Sequence, residues 1–91
     1  MALGNSGIAA ARQELGTVGA KVVAARSSNQ NFIKLYNDQN FQKFVAETNK
    51  GSVINQQLQQ LSKWIDSMCD TIESMKSKTE SYLSQQESLN K

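Results

Sequence analysis

Residues 54–89 read INQQLQQLSKWIDSMCDTIESMKSKTESYLSQQESL, and this stretch decides the fold. Ile54, Leu58, Leu61, Ile65, Met68, Ile72, Met75, Thr79, Tyr82, Gln86 and Leu89 follow one another at alternating spacings of four and three residues. That period keeps a stripe on one face of a helix. Only Thr79 and Gln86 dilute it. A long helix carrying such a stripe must cover it with other helices, so the pattern predicts an all-α fold held together by helix packing.

Upstream, Ile8, Ala11, Leu15, Val18, Val22, Ala25, Asn29, Phe32 and Tyr36 form a second four-three series, weakened by small and polar members. After Tyr36 the register slips. Phe41, Phe44, Val45 and Thr48 continue a helical pattern off the earlier heptad, with Asn37 to Asn40 at the slip as a kink or a weak turn. A chain reversal at Asn37–Asn40 would leave two very unequal helices. A reversal at Asn49-Lys50-Gly51-Ser52 leaves two of about 40 residues, each about 60 Å long at the helical rise. The chain is therefore expected to be one domain, residues 1–91, folded as an antiparallel two-helix hairpin. Helix one covers about 8–48, the turn about 49–52 and helix two about 53–88. Gly51 is expected to adopt the left-handed conformation that ends helix one, and Ser52 to accept a hydrogen bond from the first free N–H groups of helix two. The Gly-rich start and the polar end beyond Tyr82 are expected to fray.

Composition narrows the class of function. The 91 residues contain no proline, no histidine and one cysteine, with 38% hydrophobic residues and net charge +2; the mean hydropathy is −0.52. A domain this small is marginally buried unless something else covers it, and partner helices are the obvious cover. Lysines and arginines form no run, so the footprint of a nucleic-acid binder is missing and no nucleic-acid partner is expected. No basic residue precedes Arg12, so no cleavable secretory signal is expected. The most apolar window, Val18 to Ala25, contains Lys21 and is far short of a membrane span.

The apolar surface is wider than a two-helix seam requires. Trp64 lies on one side of the helix-two stripe, with Cys69 and Leu83 on the other. In helix one Ile33 and Leu35 flank the main row and Val23 lies further round. Such breadth belongs to helices that touch more than one neighbour. Val23, Ile33, Leu35, Trp64, Cys69 and Leu83 are therefore the expected partner interface, through which hairpins pair into a four-helix bundle. Trp64 either anchors that interface or closes the edge of the hairpin's own core. Cys69 reads as a small buried hydrophobe, the alternative being an intermolecular disulfide or redox role. Gly16, Ala20 and Ala24, with Gly19 nearby, form a strip of small residues where another backbone could come close, unless they merely line a solvated face.

Catalytic chemistry finds no foothold. Without histidine the chain lacks a neutral-pH proton shuttle and the commonest metal ligand. Asp66, Asp70 and Glu73 share a helix face, but Lys63 and Lys76 stand three residues outside them, so a solvated, charge-paired face is expected in place of a metal site. No phosphate-cradling glycine loop is present. The chain is expected to be neither an enzyme nor the holder of a cofactor or metal.

This layout resembles the WXG-motif (ESAT-like) family of small type VII secretion proteins, helical hairpins of about this length that dimerise into four-helix bundles. The family carries Trp-x-Gly at the central turn and Tyr-x-x-x-Asp/Glu near the C-terminus as a joint export signal. Here the turn reads Asn49-Lys50-Gly51, keeping the glycine and replacing the tryptophan. The tail, from Tyr82 to Glu87, places its carboxylate one residue late, with Gln86 at the motif position. The resemblance implies a divergent bacterial relative. Such a protein is secreted without a cleavable signal peptide or held in the cytoplasm before export. It pairs as a homodimer, or as a heterodimer with a related hairpin or the helical N-terminus of a larger effector, and a secretion ATPase is a further partner. The alternative from the residues alone is a cytoplasmic secretion chaperone or a coiled-coil structural subunit of another assembly.

Overall fold

The expected first helix is two helices. In the computed structural model, which describes residues 3–91, α1 spans Asn5–Tyr36, α2 Gln39–Glu47 and α3 Gly51–Leu89, with no strand among the described residues. The all-α expectation holds, and of the kink or weak turn expected at Asn37–Asn40 within helix one, the structure has a break between two helices. Asp38 is the cause. Its backbone is extended and its carboxylate accepts a hydrogen bond from the Phe41 N–H at 2.8 Å. Its carbonyl also accepts from the Gln42 N–H at 3.0 Å. This is the geometry of an N-cap, which starts a new helix and does not merely bend an old one. The Gln42 side-chain amide donates back to the Tyr36 carbonyl, so the first turn of α2 satisfies an end group of α1.

The turn falls at Asn49 and Lys50, but its chemistry is not the expected one. The left-handed residue is Lys50, with φ 59°, and no glycine has positive φ among the described residues. Gly51 already belongs to α3, and Ser52 is the second residue of that helix, not its cap. The Thr48 N–H donates to the Val45 carbonyl at 3.1 Å, and the Gly51 N–H to the Thr48 carbonyl at 2.9 Å. This tight return is why a glycine stands at 51. A Cβ there would lie 2.2 Å from the Val45 carbonyl oxygen and 3.1 Å from the Thr48 Cβ. Space, not torsional freedom, is what the position demands.

The chain divides into two compact units. One joins the chain up to Val23 with Asp70–Lys91, and the other is Ala24–Cys69. Within the Ala24–Cys69 unit, Asn29 Nδ2 donates to Asp66 Oδ1 at 3.0 Å, and the Arg26 guanidinium lies 4.0 Å from the same carboxylate oxygen. Asn29 also bonds Ser62. Rising numbers in α1 thus meet falling numbers in α3, which is antiparallel pairing. Within the other unit, Arg12 pairs with Glu87 at 2.6 Å and the Leu3 N–H donates to Gln86 Oε1 at 2.9 Å. The Lys76 stem lies over Gly19, so close that a Cβ on that glycine would sit 2.9 Å from Lys76 Cε. The Lys76 ammonium reaches past it to Glu80 at 2.9 Å, so a charged residue occupies an inward position while its head stays polar.

Which rows face inward departs from the expected seam. On α3 the covered positions are Gly51, Asn55, Leu58, Ser62, Ile65 and Cys69 in the Ala24–Cys69 unit, with Asp66 half-covered beside Ile65. In the other unit they are Ile72, Lys76, Thr79, Leu83 and Gln86, with Glu87 half-covered beside Gln86. The other positions set the pattern. This is again a four-three alternation. It keeps the expected row Leu58, Ile65, Ile72, Thr79 and Gln86, but its second row is Asn55, Ser62, Cys69, Lys76 and Leu83. The expected second row, Ile54, Leu61, Met68, Met75, Tyr82 and Leu89, is exposed. α1 has turned the same way: Ile8, Leu15, Val22, Asn29 and Tyr36 are covered, while Gly19, Arg26 and Ile33 replace Val18, Ala25 and Phe32.

Candidate association surface

The offset leaves each unit with an apolar flank. In an antiparallel helix pair, the residue preceding the same seam row on each helix faces the same side of the pair. By that geometry Ala25 and Phe32 of α1 share a flank with Ile54, Leu61 and Met68 of α3 in the Ala24–Cys69 unit. Ala11 and Val18 share one with Met75, Tyr82 and Leu89 in the other. The six α3 members are between 40% and 68% exposed. Single exposed apolar residues are ordinary; a row of them at a strict seven-residue spacing is an unfilled packing surface. The opposite flank of α3 is acidic, with Asp66 in one unit and Glu73, Glu80 and Glu87 in the other.

The residues expected at a partner interface separate into two groups. Val23, Leu35 and Trp64 are exposed, Trp64 by 59%. Cys69 and Leu83 are buried and Ile33 is half-buried. The turned seam brings the rows of these three inward, so Cys69 and Leu83 are covered by the chain's own packing and Ile33 partly so. Their places on the surface are taken by Ile54, Leu61, Met68, Met75 and Leu89, residues the periodicity identified but assigned to the chain's own seam. Of the tail pair, Tyr82 is exposed and Glu87 is held by Arg12. Asn49 and Lys50 form the turn and Gly51 abuts it. In the small-residue strip, Gly19 is covered by the Lys76 side chain and a Cβ on Gly16 would meet nothing within 4 Å.

At the corner of the Ala24–Cys69 unit the helices carry an aromatic ladder. Phe32 and Tyr36 meet edge to face with ring centroids 4.9 Å apart, Tyr36 and Phe41 lie at 6.5 Å, and Phe41 and Phe44 at 6.3 Å. The Tyr36 hydroxyl is buried without a hydrogen-bond partner, and that desolvation pushes its phenol above the ordinary value near 10. Two recesses open beside this corner. One, of about 250 Å³, is lined by Ile33, Tyr36 and Asn37 from the α1 side and by Gln59, Ser62, Lys63 and Asp66 from α3. The other, of about 220 Å³, lies between Phe41, Phe44, Val45 and Thr48 on the α2 side and Gly51, Ile54, Asn55 and Leu58 on α3. Asn55 is only 9% exposed, and its side-chain oxygen has no hydrogen-bond partner.

Among the described residues no group of three metal-ligating side chains comes together, and no helix is long and apolar enough to cross a membrane. No family model matches the chain, and neither a curated protein nor a solved structure matches it.

Proposed function

We propose that this is a non-catalytic association protein: an antiparallel helical hairpin whose exposed apolar rows pack against a second helical hairpin, or a related helical partner, to complete a four-helix bundle. One observation carries this reading. The inward row of α3 is Asn55, Ser62, Cys69, Lys76 and Leu83, whereas the outward row is Ile54, Leu61, Met68, Met75, Tyr82 and Leu89. A hairpin that existed for itself would gain by burying the second row, since each large apolar side chain is worth about 1.5–3 kcal/mol when fully covered. Holding that row outside makes sense for a protein whose packing is completed by another molecule.

The narrower proposal is that the bundle serves a bacterial type VII secretion system, with this chain as a small exported substrate or as the targeting partner of a larger helical effector. Its support is the hairpin layout about Gly51 and the absence of histidine. With Asn49 in place of tryptophan, Gln86 in place of a carboxylate and Glu87 engaged by Arg12, the targeting-partner role is the better supported of the two.

Sedimentation of the purified chain across concentration, alone and with the products of neighbouring genes, tests the association. A discrete dimer or heterodimer that Met75→Glu disrupts is the expected result. A well-folded monomer that binds none of them would falsify it, and open-ended assemblies would support a coiled-coil structural subunit instead. Loss of effector export on deleting this chain tests the secretion role.

A further inference from the structure

We propose that the apolar flank seats a second copy of this chain, with α1 of each copy lying on α3 of the other about a two-fold axis that runs along the helices. The inference rests on the association reading and names its partner and its pairing. Val18, Phe32 and the six members of the α3 row are 36–68% exposed, which leaves open on the order of the 800 Å² that each side contributes to a stable complex. Such an interface is self-complementary and closes.

Size selects which helix covers which. The α1 row of the flank is mostly small, with Ala11, Val18 and Ala25 before Phe32. The α3 row, Ile54, Leu61, Met68, Met75, Tyr82 and Leu89, is large throughout. Laying α1 on α1 and α3 on α3 would bring one pair of helices close and hold the other apart, because helix spacing follows the side chains at the contact. Laying α1 on α3 sets small against large at nearly every level, which is how packed layers interdigitate.

The levels are read within each unit. In the unit that contains Asp70–Lys91, Lys76 lies over Gly19, which brings Val18 near the level of Met75 and, one heptad away, Ala11 near that of Tyr82. In the Ala24–Cys69 unit, the Asn29–Ser62 bonds bring Ala25 near the level of Met68 and Phe32 near that of Leu61. Rotation about an axis along the helices keeps every residue at its own level, so the second copy presents the same matches. Phe32 is the large exception in its row. It is already turned edge to face against Tyr36, with ring centroids 4.9 Å apart, and is the least exposed of the eight.

Charge agrees with size. Glu14 follows Ala11 by three residues and Lys78 precedes Tyr82 by four, on helices that run in opposite directions. Both are exposed, on the outer edges of the flank, and within one copy the width of the two helices separates them. In the pair, Glu14 comes level with Lys78 of the second copy at the rim, and the two-fold axis repeats the contact.

Reversing the two charges tests the pairing in the full chain. Sedimentation at low salt measures dimerisation of Glu14→Lys, of Lys78→Glu and of an equimolar mixture of the two. Each variant alone sets like charges together at both contacts and weakens its dimer by about tenfold. The mixture forms a mixed dimer in which both contacts are opposite in sign, and it regains the original affinity to within about threefold. Salt at about 1 M erases these differences. Both side chains are exposed, so helicity is unchanged, and rescue between two separately folded chains cannot come from a change within either. A dimer on which neither substitution acts, or a mixture no tighter than its components, overturns this arrangement while leaving association standing. A folded chain that stays monomeric throughout also overturns it, and binding to a different helical partner is then judged by the separate mixing experiment.

Discussion

Asn29 and Ser62 hold each other by reciprocal hydrogen bonds: Asn29 Nδ2 donates to the Ser62 carbonyl at 2.9 Å, and Ser62 Oγ donates to Asn29 Oδ1 at 2.8 Å. Both residues are buried. A satisfied polar pair inside a helix seam adds little net stability but penalises every register in which it is broken. It therefore selects the turned seam, the one that leaves the Ile54 row outside.

Removing that pair unequally should produce unequal losses. Asn29→Ala strips out the whole arrangement, including the bond to Asp66, and is expected to destabilise by about 1–3 kcal/mol. Ser62→Ala leaves the backbone acceptor in place and should cost about 1 kcal/mol. Urea denaturation of the two variants and of the double variant checks this, with the double falling short of the sum because the residues share partners.

The turn yields a pair of opposite effects. Gly51→Ala drives a methyl into the Val45 carbonyl and should destabilise by about 1–3 kcal/mol or more, as overpacking does. Lys50→Gly relieves a left-handed side-chain residue and should stabilise by about 0.5–1 kcal/mol once the added freedom of the unfolded chain is subtracted. If Gly51 were needed for its torsions the first effect would persist, but Lys50→Gly would then bring no gain in melting temperature.

The cap of α2 is open to the same treatment. Asp38→Ala removes the acceptor for the Phe41 N–H and should cost about 1 kcal/mol, whereas Asp38→Asn or Asp38→Ser should recover most of it. Thermal melts followed by circular dichroism distinguish the three.

Tyr36 makes stability depend on pH at the alkaline end. Its folded phenol titrates above the unfolded one, so the unfolded chain gives up the proton first as pH rises. The contribution is fully present below about pH 10 and is lost as pH climbs through the folded value. Tyr36→Phe should be neutral or stabilising by up to about 1 kcal/mol at neutral pH, because the buried hydroxyl has no partner to lose. The variant's advantage in melting temperature should widen between about pH 8 and about pH 11; an unchanged gap would remove Tyr36 as the source.

Much of this architecture is legible from residue order alone. The four-three spacing finds the helices, Gly51 finds the reversal, and two of the four seam rows, Leu58 to Gln86 and Ile8 to Tyr36, are the ones that turn inward. The other two are misassigned for a physical reason. Apolar periodicity weighs Ile54 and Leu61 above Asn55 and Ser62, and so favours a seam that the buried Asn29–Ser62 pair does not adopt. The charges do carry a hint. Arg12 and Arg26 share one row of α1 and Asp66 and Glu87 share one row of α3, so within each unit the ion pair closes only where those two rows lie side by side. Each surface pair is worth only a few tenths to about 1 kcal/mol, too little to stand out beside a row of leucines and methionines. Asp38 does not stand out as a cap in the sequence because the apolar pattern runs on past it in α2.

Cys69, buried and the sole thiol of the chain, supplies a built-in clock. A sulfur shut away from solvent meets an alkylating reagent only during moments when its neighbourhood comes apart, so labelling speed counts those openings. No engineered probe is needed: the slower the native protein is modified at a given reagent strength, the more firmly the middle of α3 is being held, and any partner that clamps it will register as a delay.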